Sequence, residues 1–255
     1  MCVILFAVGA HARYPLVVAA NRDEWFYRPT APAAFWPDAP HIFAGRDLEQ
    51  RGTWMGISRS GRFAAVTNVR EGVATRTDAR SRGALVSDFL TAMKPPSSYA
   101  ATVAEQGGQY NGFNLLVGDL TQLMYLSNRG GRPELVLPGV HGLSNHLLNT
   151  AWPKVQQGKA RLAGLLRHDA INVAALFDIL GDRSPAPDES LPRTGVAPDR
   201  ERVLSALHVL AGDSGTRTAT VLLVDADGNV SCSERSFDRQ GNTTGEVQEA
   251  FALES

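Results

Sequence analysis

The sequence predicts an α/β (α+β) protein built in layers, with mostly antiparallel sheets inside and helices outside. The β-prone runs at residues 3–8 and 16–20 are almost continuously apolar, which is typical of strands covered on both faces. Short turns join successive strand pairs, and this favours antiparallel pairing. Helical patterns lie between the hairpins rather than after every strand, so a regular βαβ arrangement is not expected.

The first part of the chain reads mainly as hairpins. Residues 3–8 and 16–20 form the first of them. Residues 25–43 contain four prolines among aromatic side chains. Because each proline removes a backbone donor and restricts the residue before it, we predict an ordered loop there rather than a helix. Residues 52–57 and 63–67 flank a Ser-Gly turn and form a second predicted hairpin.

The middle of the chain combines helices with a further hairpin. Residues 81–93 carry apolar side chains at helical spacing, and a proline pair ends this predicted helix. Residues 97–105 are a second short helix. The third hairpin pairs residues 113–117 with 123–127, and residues 134–137 form a short strand after it.

The last hundred or so residues return from helices to strands. The predicted elements are helices at 153–166 and 171–180, a proline-rich surface loop at 184–200, a helix at 203–210, a hairpin of 216–224 with 230–237, and a strand at 247–253. No repeat, low-complexity tract or linker interrupts this order, so we expect one domain over residues 1–255.

Composition argues against several classes of function. The chain has 25 basic and 26 acidic residues without a basic stripe, so we expect no nucleic-acid partner. Its two cysteines provide no disulfide framework, and its six histidines show no metal-ligand spacing, so no metal site is predicted. No apolar run approaches the ~20 residues of a membrane span, and no signal-peptide pattern is present, which favours a cytoplasmic protein.

Cys2 stands directly after the initiator methionine. If Met1 is removed, Cys2 carries an α-amine with a reference pKa of about 8 beside a thiol with a pKa of about 8.5, and the amine can act as general base for the thiol. The alternative is a small buried apolar residue at the start of a strand, which is the usual role of a free cysteine. Phosphate-loop, dinucleotide-binding, serine-elbow and zinc-protease motifs are absent from the sequence.

Polar residues stand where predicted strands end. Residues 21–24 (Asn-Arg-Asp-Glu) close the second apolar run, Asn68 closes another, and Asn145 precedes a helix. Asn68 and Asn145 can each be a turn or capping residue or part of a site. Arg217 begins an apolar strand, where it needs either a structural ion pair or a functional partner.

A series of motifs in fixed order resembles the NRDE family, also called the transport and Golgi organisation protein 2 family. The motifs are Met-Cys at residues 1–2, Ala-Asn-Arg-Asp-Glu at 20–24, Arg-Pro at 28–29, Gly-Thr-Trp-Met-Gly at 52–56, Thr-Asn at 67–68, Tyr-Asn-Gly-Phe-Asn at 110–114, Gly-Leu-Ser-Asn at 142–145, Trp-Pro-Lys at 152–154 and Gly-Thr-Arg-Thr at 215–218. The resemblance spans nearly the whole chain and favours a functional origin for Cys2.

The family in turn is similar to the cysteine-type N-terminal-nucleophile hydrolases related to bile salt hydrolase and penicillin V acylase. This resemblance implies a four-layer αββα sandwich. It implies that Cys2 is both nucleophile and base, and that Asp23 holds its amine. Asn68 and Asn145 are then the candidate donors to the oxyanion, and Arg217 is the late arginine that supports the site. A well-placed oxyanion donor contributes on the order of 3–4 kcal/mol to transition-state stabilisation.

One position departs from the pattern of these hydrolases, which carry Arg-Asn-x-Asp. Aligning Asn21 and Asp23 with that pattern puts Ala20 where their arginine stands and leaves Arg22 at the x position. In an extended strand Arg22 then points to the face opposite Asn21 and Asp23. It either replaces the missing arginine through a bulge in the strand or has a purely structural role.

Two functions follow from the resemblance. The first is hydrolysis or transfer of an acyl group from an amide, ester or thioester through Cys2 after Met1 removal, without a cofactor. The second is a non-catalytic carrier of haem or of an acyl-CoA-like lipid in the same pocket, since the family is linked to haem trafficking and lipid metabolism. The side chains expected to contact such a ligand are Asn21, Trp25, Trp54 and Asn114, with the aromatic residues of 25–36 as a pocket wall.

Overall fold

The computed structural model describes residues 2–72 and 75–254. Two seven-stranded antiparallel sheets pack face to face around an inner apolar core. Helices cover the outer face of each sheet and enclose a second and a third core. The layers therefore run helix, sheet, sheet, helix, and the fold class predicted from the sequence is confirmed.

The elements alternate between hairpins and short helical stretches. In chain order the strands are β1 (Cys2–Val8), β2 (Leu16–Trp25), β3 (Thr30–Trp36), β4 (Ala39–Asp47), β5 (Met55–Ser58), β6 (Phe63–Asn68), β7 (Phe113–Gly118), β8 (Leu123–Ser127), β9 (Glu134–Leu135), β10 (Gly139–Leu143), β11 (Leu210–Ala211), β12 (Ser214–Val224), β13 (Asn229–Phe237) and β14 (Thr243–Ala252). The helices are α1 (Arg82–Thr91), α2 (Pro96–Glu105), α3 (Pro153–Leu165), α4 (Val173–Leu180) and α5 (Pro198–Leu204), with 3-10 turns at Gly107–Gln109 and Asp188–Ser190. None of these helices is long and apolar enough to cross a membrane.

The strand order places the beginning of the chain inside the first sheet. That sheet runs β10-β1-β2-β12-β13-β14, with β11 beside β12, and the second runs β3-β4-β5-β6-β7-β8-β9. β1 pairs with β10 over residues 4–8 and with β2 over residues 2–8, and its first residue, Cys2, pairs with Arg22 of β2. β2, beside β1, carries the polar residues 21–24, and Asn145 follows the end of β10, the strand on the other side of β1.

The continuous apolar run of β1 serves two cores at once. Ile4 and Phe6 face the second sheet, whereas Val3 and Leu5 face the layer formed by α3 and α4. Because side chains alternate along a strand, only a run without polar interruptions can fill both faces. The inference of doubly covered strands is therefore confirmed.

The prediction of a loop over residues 25–43 is wrong. This segment instead contributes β3 and most of β4, which pair with each other. β3 lies at the edge of its sheet, where a proline without an N–H breaks no ladder on its open side. The register also shifts between Ala31 and Ala34, around Pro32, while Pro37 lies in the turn between the strands.

The helix predicted at residues 203–210 is displaced toward the start of the chain. α5 begins at Pro198, where proline fits the first helical position because that N–H has no helical acceptor. The helix does not continue past Leu204; the His208 N–H instead donates to the Asp182 carbonyl at 2.8 Å. β10 escaped prediction because its glycines weaken the strand pattern. The remaining predicted hairpins and helices are confirmed with small shifts at their ends.

Candidate active site

A cleft of about 790 Å³ opens where several strand ends meet, and Cys2 lies on its wall. The other walls come from the end of β2, the end of β6, the connection from β4 to β5 and the start of α1. Loops and strand ends that converge in this way are the usual position of a ligand site on a rigid scaffold. The position of Cys2 makes this cleft the candidate active site.

Arg22 lies directly opposite Cys2 in the antiparallel pairing of β1 with β2. Residues paired in this way project to the same face of a sheet, so Arg22 shares the face of Cys2. The β1–β2 register is continuous, so this placement requires no bulge in β2. The Arg22 side chain is 5% exposed, and its guanidinium carbon lies 4.2 Å from the centroid of the Trp54 ring.

Asp23 is buried on the other face of β2. Its Oδ1 accepts a hydrogen bond of 2.7 Å from the Thr216 hydroxyl, and that hydroxyl oxygen accepts from the Val209 N–H at 2.9 Å. Burial raises the pKa of the Asp23 carboxyl, and the positive charge of Lys154 opposes this rise. The fold therefore holds the Asp23 side chain beside the start of β1 before any substrate is present.

The Cys2 thiol is not activated by its surroundings alone. Burial raises its pKa, and the negative charge of Asp23 acts in the same direction. A hydrogen bond with the Asp23 backbone and the positive charge of Arg22 lower it, but they do not outweigh burial. The resting thiol stays protonated at neutral pH, so nucleophilic chemistry at this sulfur needs a base.

Asn68 and Asn145 are hydrogen-bonded to each other, but only one of them lines the cleft. The Asn145 amide nitrogen donates to the Asn68 side-chain oxygen at 3.0 Å and to its backbone oxygen at 3.1 Å. Asn145 is fully buried, whereas Asn68 lines the cleft. Within the described residues the Asn68 amide nitrogen makes no hydrogen bond, so it is available to donate into the cleft. The two hydrogen bonds from Asn145 hold Asn68 at the wall of the cleft.

A buried network ties these strand ends together. The Asn114 amide nitrogen donates to the Thr67 hydroxyl at 3.0 Å, and the Tyr125 hydroxyl donates to the Asn114 oxygen at 2.9 Å. The Thr67 hydroxyl donates to the Ser144 carbonyl at 2.7 Å, and the Ser144 hydroxyl donates to the Cys2 carbonyl at 2.9 Å. Four strands are thereby fixed around Cys2 through satisfied polar contacts.

The four predicted ligand contacts divide into two pairs. Trp25 and Trp54 line the cleft. Asn21 and Asn114 do not lie among the described residues that line it. The Asn21 amide nitrogen donates to the carbonyls of Leu180 and Leu207 at 2.8 and 2.9 Å on the helix side of the sheet, because alternation along β2 turns it away from Arg22. The fold gives both asparagines structural contacts.

The aromatic residues of 25–36 do not form one wall. Trp25 is 41% exposed, and its ring stacks on that of Tyr27 at a centroid distance of 5.6 Å. Phe35 packs edge-on against Phe43 within the interior, and Trp36 is buried in the core beneath the helices of the second sheet. Only Trp25 and its partner Tyr27 keep large exposed surface, because β3 carries the later residues into the sheet.

Arg217 occupies a bulge in β12. The register pairs Thr216 with Asp23 and Thr218 with Arg22, so Arg217 has no partner across the strand. Its Nη1 donates to the carbonyl oxygens of Trp25, Phe26 and Arg28 at 2.9 to 3.2 Å. A bulge re-aims a side chain in this way. Arg217 fixes the turn after β2 and is not among the described residues that line the cleft.

A group of buried charges behind Asp23 had not been assigned a role from the sequence. The Arg70 guanidinium pairs with the Glu201 carboxylate at 2.5 Å and lies 4.9 Å from the Trp152 ring. Lys154 is 2% exposed, and its Nζ has no hydrogen-bond partner among the described residues. Burial lowers the pKa of Lys154 to about 8, although the negative charges of Asp23 and Glu201 raise it. The only sequence signal for this lysine was its place in the Trp-Pro-Lys motif.

The variant Lys154→Met is expected to change how stability depends on pH. The folded pKa of about 8 lies below the unfolded value of about 10.4. Between these values the unfolded chain binds the extra proton, so the wild type gains stability as pH rises through that window, by at most about 3 kcal/mol. Below pH 8 the folded protein carries the full cost of the buried charge. The stability of Lys154→Met relative to the wild type should therefore fall between pH 7 and pH 10.

Urea unfolding of both proteins across that pH range measures this difference. Lys94→Met, at an exposed lysine, is the matched control. A difference for Lys154→Met that stays flat with pH would contradict the account of a buried, destabilised ammonium group.

The described residues hold no group of three or more His, Cys, Asp or Glu side chains placed to bind a metal ion. What the cleft does offer is a thiol, an amide donor, carboxylates and guanidinium groups. These groups suit attack on a carbonyl and recognition of a polar ligand.

Comparison with known proteins shows the family to which the chain belongs. The family model for Transport and Golgi organisation 2 matches residues 1–239. The Transport and Golgi organization protein 2 homolog of Bos taurus is 40% identical over 260 residues, which cover 93% of each chain. The Drosophila melanogaster Transport and Golgi organization protein 2 is 31% identical over 264 residues, covering 93% of this chain and 92% of its own.

Among solved structures, a Caenorhabditis elegans ortholog of N-acylethanolamine-hydrolyzing acid amidase resembles this chain. The TM-score is 0.50 at 11% identity, and the match covers 87% of this chain and 92% of that one. At this identity the likeness concerns the fold alone. The four layers define the class of protein: the chain has an N-terminal-nucleophile hydrolase fold. The matches over nearly the whole sequence show its family, and the chain belongs to the Transport and Golgi organisation 2 family.

Proposed function

We propose that the protein hydrolyses or transfers an acyl group through Cys2 once Met1 has been removed. One observation carries this proposal: the only thiol on the described cleft wall belongs to residue 2, and the buried Asp23 lies beside it. A nucleophile at that position gains its own α-amine as a base, which the protonated resting thiol requires. The class of fold supports the same reading without identifying a substrate.

The reaction begins with a proton transfer within residue 2. The free α-amine accepts the thiol proton, and the sulfur attacks the carbonyl carbon of the substrate. The C–N, C–O or C–S bond to the leaving group breaks, and the ammonium group returns its proton to that leaving group. Water, giving a proton to the same amine, then attacks the carbonyl carbon of the acyl-cysteine. The C–S bond breaks, the acid is released, and the ammonium group returns its proton to the sulfur, which restores Cys2. A second nucleophile in place of water gives acyl transfer.

The surrounding residues take distinct roles in this proposal. The Asp23 carboxylate holds the ammonium form of the amine, and its own hydrogen bond from Thr216 fixes its position. Arg22 stabilises the thiolate because it lies on the same face as Cys2. The Asn68 amide donates to the oxyanion, and Asn145 positions Asn68.

Acylation by 4-nitrophenyl hexanoate tests the proposal. We expect a burst of nitrophenolate equal to the concentration of protein molecules that begin at Cys2, followed by slower turnover. Peptide mapping should find the hexanoyl group on Cys2, because the other cysteine, Cys232, is buried and its pKa is raised by burial. An ester that leaves Cys2 unmodified, or a hexanoyl group found only on other residues, would refute the proposal.

A carrier function is the second candidate, and the exposed aromatic pair favours it. Trp25 and Tyr27 are 41% and 69% exposed and stack beside the cleft, so they can cover an apolar ligand without taking part in chemistry. Titration with haem and with an acyl-CoA distinguishes the ligands. Tight binding that survives Cys2→Ala, together with no acylation, would support the carrier; no Soret shift and no acyl-CoA binding would remove it.

A further inference from the structure

The walls of the cleft carry more positive than negative charge. Among the described residues, seven arginines and four carboxylates line it. Several of these arginines are neutralised nearby: Arg28 pairs with Asp47 at 2.7 Å, Arg70 with Glu201 at 2.5 Å, and Arg76 with Asp78 at 3.0 Å. The remaining excess of positive charge suits a negatively charged ligand.

Arg82 differs from the other arginines on this wall. It is the first residue of α1 and is partly buried, whereas Arg80 and Arg200 are exposed. Its Nη1 donates to the Gly112 carbonyl at 3.0 Å, and no carboxylate among the described residues lies within ion-pair distance of its guanidinium. Glu71 is near, but its carboxylate is bound by Arg129. One edge of a guanidinium thus remains unused in a partly dehydrated site.

The backbone that carries Arg82 is rigidly placed. A side-chain carbon on Gly52 would lie 2.5 Å from the Gly83 carbonyl carbon, so the connection from β4 to β5 packs directly onto the first turn of α1. The Thr53 N–H donates to the Gly83 carbonyl at 3.3 Å across this contact. Only glycine permits such an approach. A guanidinium on a fixed support loses less freedom when it binds a ligand.

Arg82 also interacts electrostatically with Cys2, the proposed nucleophile. Burial lowers the pKa of its guanidinium. The negative charge that Cys2 carries when it is ionised is the strongest influence that raises this pKa, ahead of the charge of Glu24. A group bound at Arg82 can therefore belong to the same ligand whose carbonyl reaches Cys2, since both side chains line one cleft.

We propose that Arg82 binds an anionic group, a carboxylate or a phosphate, on the acyl compound that Cys2 attacks. This inference rests on the proposed function and adds a substrate class to it: acyl donors that carry a negative charge away from the reacting carbonyl. The planar guanidinium presents two parallel donors, which match either oxyanion.

A matched pair of esters tests the proposal on protein that begins at Cys2. The mono-4-nitrophenyl ester of adipic acid and 4-nitrophenyl hexanoate have the same chain length and differ in the terminal carboxylate. We expect the wild type to be acylated faster by the adipate ester, and Arg82→Gln to reduce the ratio of the two rates by about ten- to a hundredfold. Arg82→Lys should retain part of the preference because it keeps the charge without the planar fork.

Arg132→Gln is the matched control, because it removes the same charge from an exposed loop outside the described cleft lining. It should leave the ratio as in the wild type. Equal rates for the two esters in the wild type, or an equal loss of preference in both glutamine variants, would overturn the role of Arg82. Circular dichroism confirms that each variant is folded.

A second measurement is independent of acyl chemistry. Alkylation of Cys2 by neutral iodoacetamide is followed with adipate or inorganic phosphate as competitor. Protection by adipate alone assigns a carboxylate site, and protection by phosphate alone assigns a phosphate site; in either case Arg82→Gln should abolish it. If neither ester acylates Cys2 but the protection is seen, the proposed function fails and the anion site stands. Absence of protection by both anions overturns the anion site.

Discussion

Replacement of Cys2 by alanine is expected to abolish acyl turnover and to leave the protein folded. Removing the attacking sulfur eliminates the covalent route, so kcat/KM for 4-nitrophenyl hexanoate should fall by a factor on the order of 10⁴ or more. The side chain is half-buried at the start of β1 and is small, so the free energy of unfolding should change by less than about 1 kcal/mol. Ester kinetics and urea unfolding measure the two effects separately.

The second cysteine supplies the control for this experiment. Cys232 lies in the inner core between the two sheets, 5% exposed. Cys232→Ala should reduce stability by roughly 1 kcal/mol through lost packing, with the ester kinetics within a few-fold of the wild type. Turnover that persists in Cys2→Ala, or that disappears equally in Cys232→Ala, would contradict the assignment of the nucleophile.

Replacement of Asn68 by alanine should lower kcat by about 10²- to 10³-fold with little change in KM. Asn68 lines the cleft, and no acceptor for its amide nitrogen lies among the described residues. Loss of one oxyanion donor has an effect of this size. The loss should appear mainly in kcat because the interaction strengthens as the carbonyl oxygen becomes negative.

The variant Asn68→Asp distinguishes hydrogen-bond donation by Asn68 from a purely structural role of this side chain. The aspartate retains an oxygen that can accept from the Asn145 amide, a bond of 3.0 Å in the native protein, but its carboxylate cannot donate to an oxyanion. A loss of activity as large as in Asn68→Ala is expected. Activity near the wild-type level in either variant would show that the oxyanion is stabilised elsewhere.

The layered fold was predictable because several of its strands are continuous apolar runs in the sequence. Val3 and Leu5 face one core while Ile4 and Phe6 face another, and that pattern is visible without coordinates. The strand at residues 30–36 was not predictable in the same way. Its prolines are acceptable only because β3 lies at a sheet edge, and strand order is a property of the whole fold.

The resemblance to a family indicated which residues belong to the candidate site, but not the face of the sheet to which each side chain points. Arg22 shares the face of Cys2 because the two residues are paired across β1 and β2. The predicted role of Arg22 had depended on a bulge; the bulge exists, but in β12 at Arg217. The register between strands that are distant in the sequence decides which side chains share a face. A single sequence does not specify that register directly.

The surroundings of Lys154 and Arg82 depend on the tertiary structure and were not predictable from the sequence. A lysine or arginine is expected to be exposed. Nothing nearby in the sequence marks Lys154 as 2% exposed, or shows that Arg82 has no carboxylate within ion-pair distance among residues 2–72 and 75–254. Both become notable only when helices α3 and α1 carry them toward the cleft and the charges behind it. Unpaired charge near a nucleophile is thus a finding of the tertiary structure.

The intact mass of the protein isolated from cells that naturally produce it, before and after treatment with 4-nitrophenyl hexanoate, shows whether Cys2 becomes a terminal nucleophile. We expect a chain lighter than the encoded one by one methionine residue, and a gain of one hexanoyl group that maps to Cys2. A chain that retains Met1, or one that lacks it and gains no acyl group at Cys2, would contradict this role of Cys2.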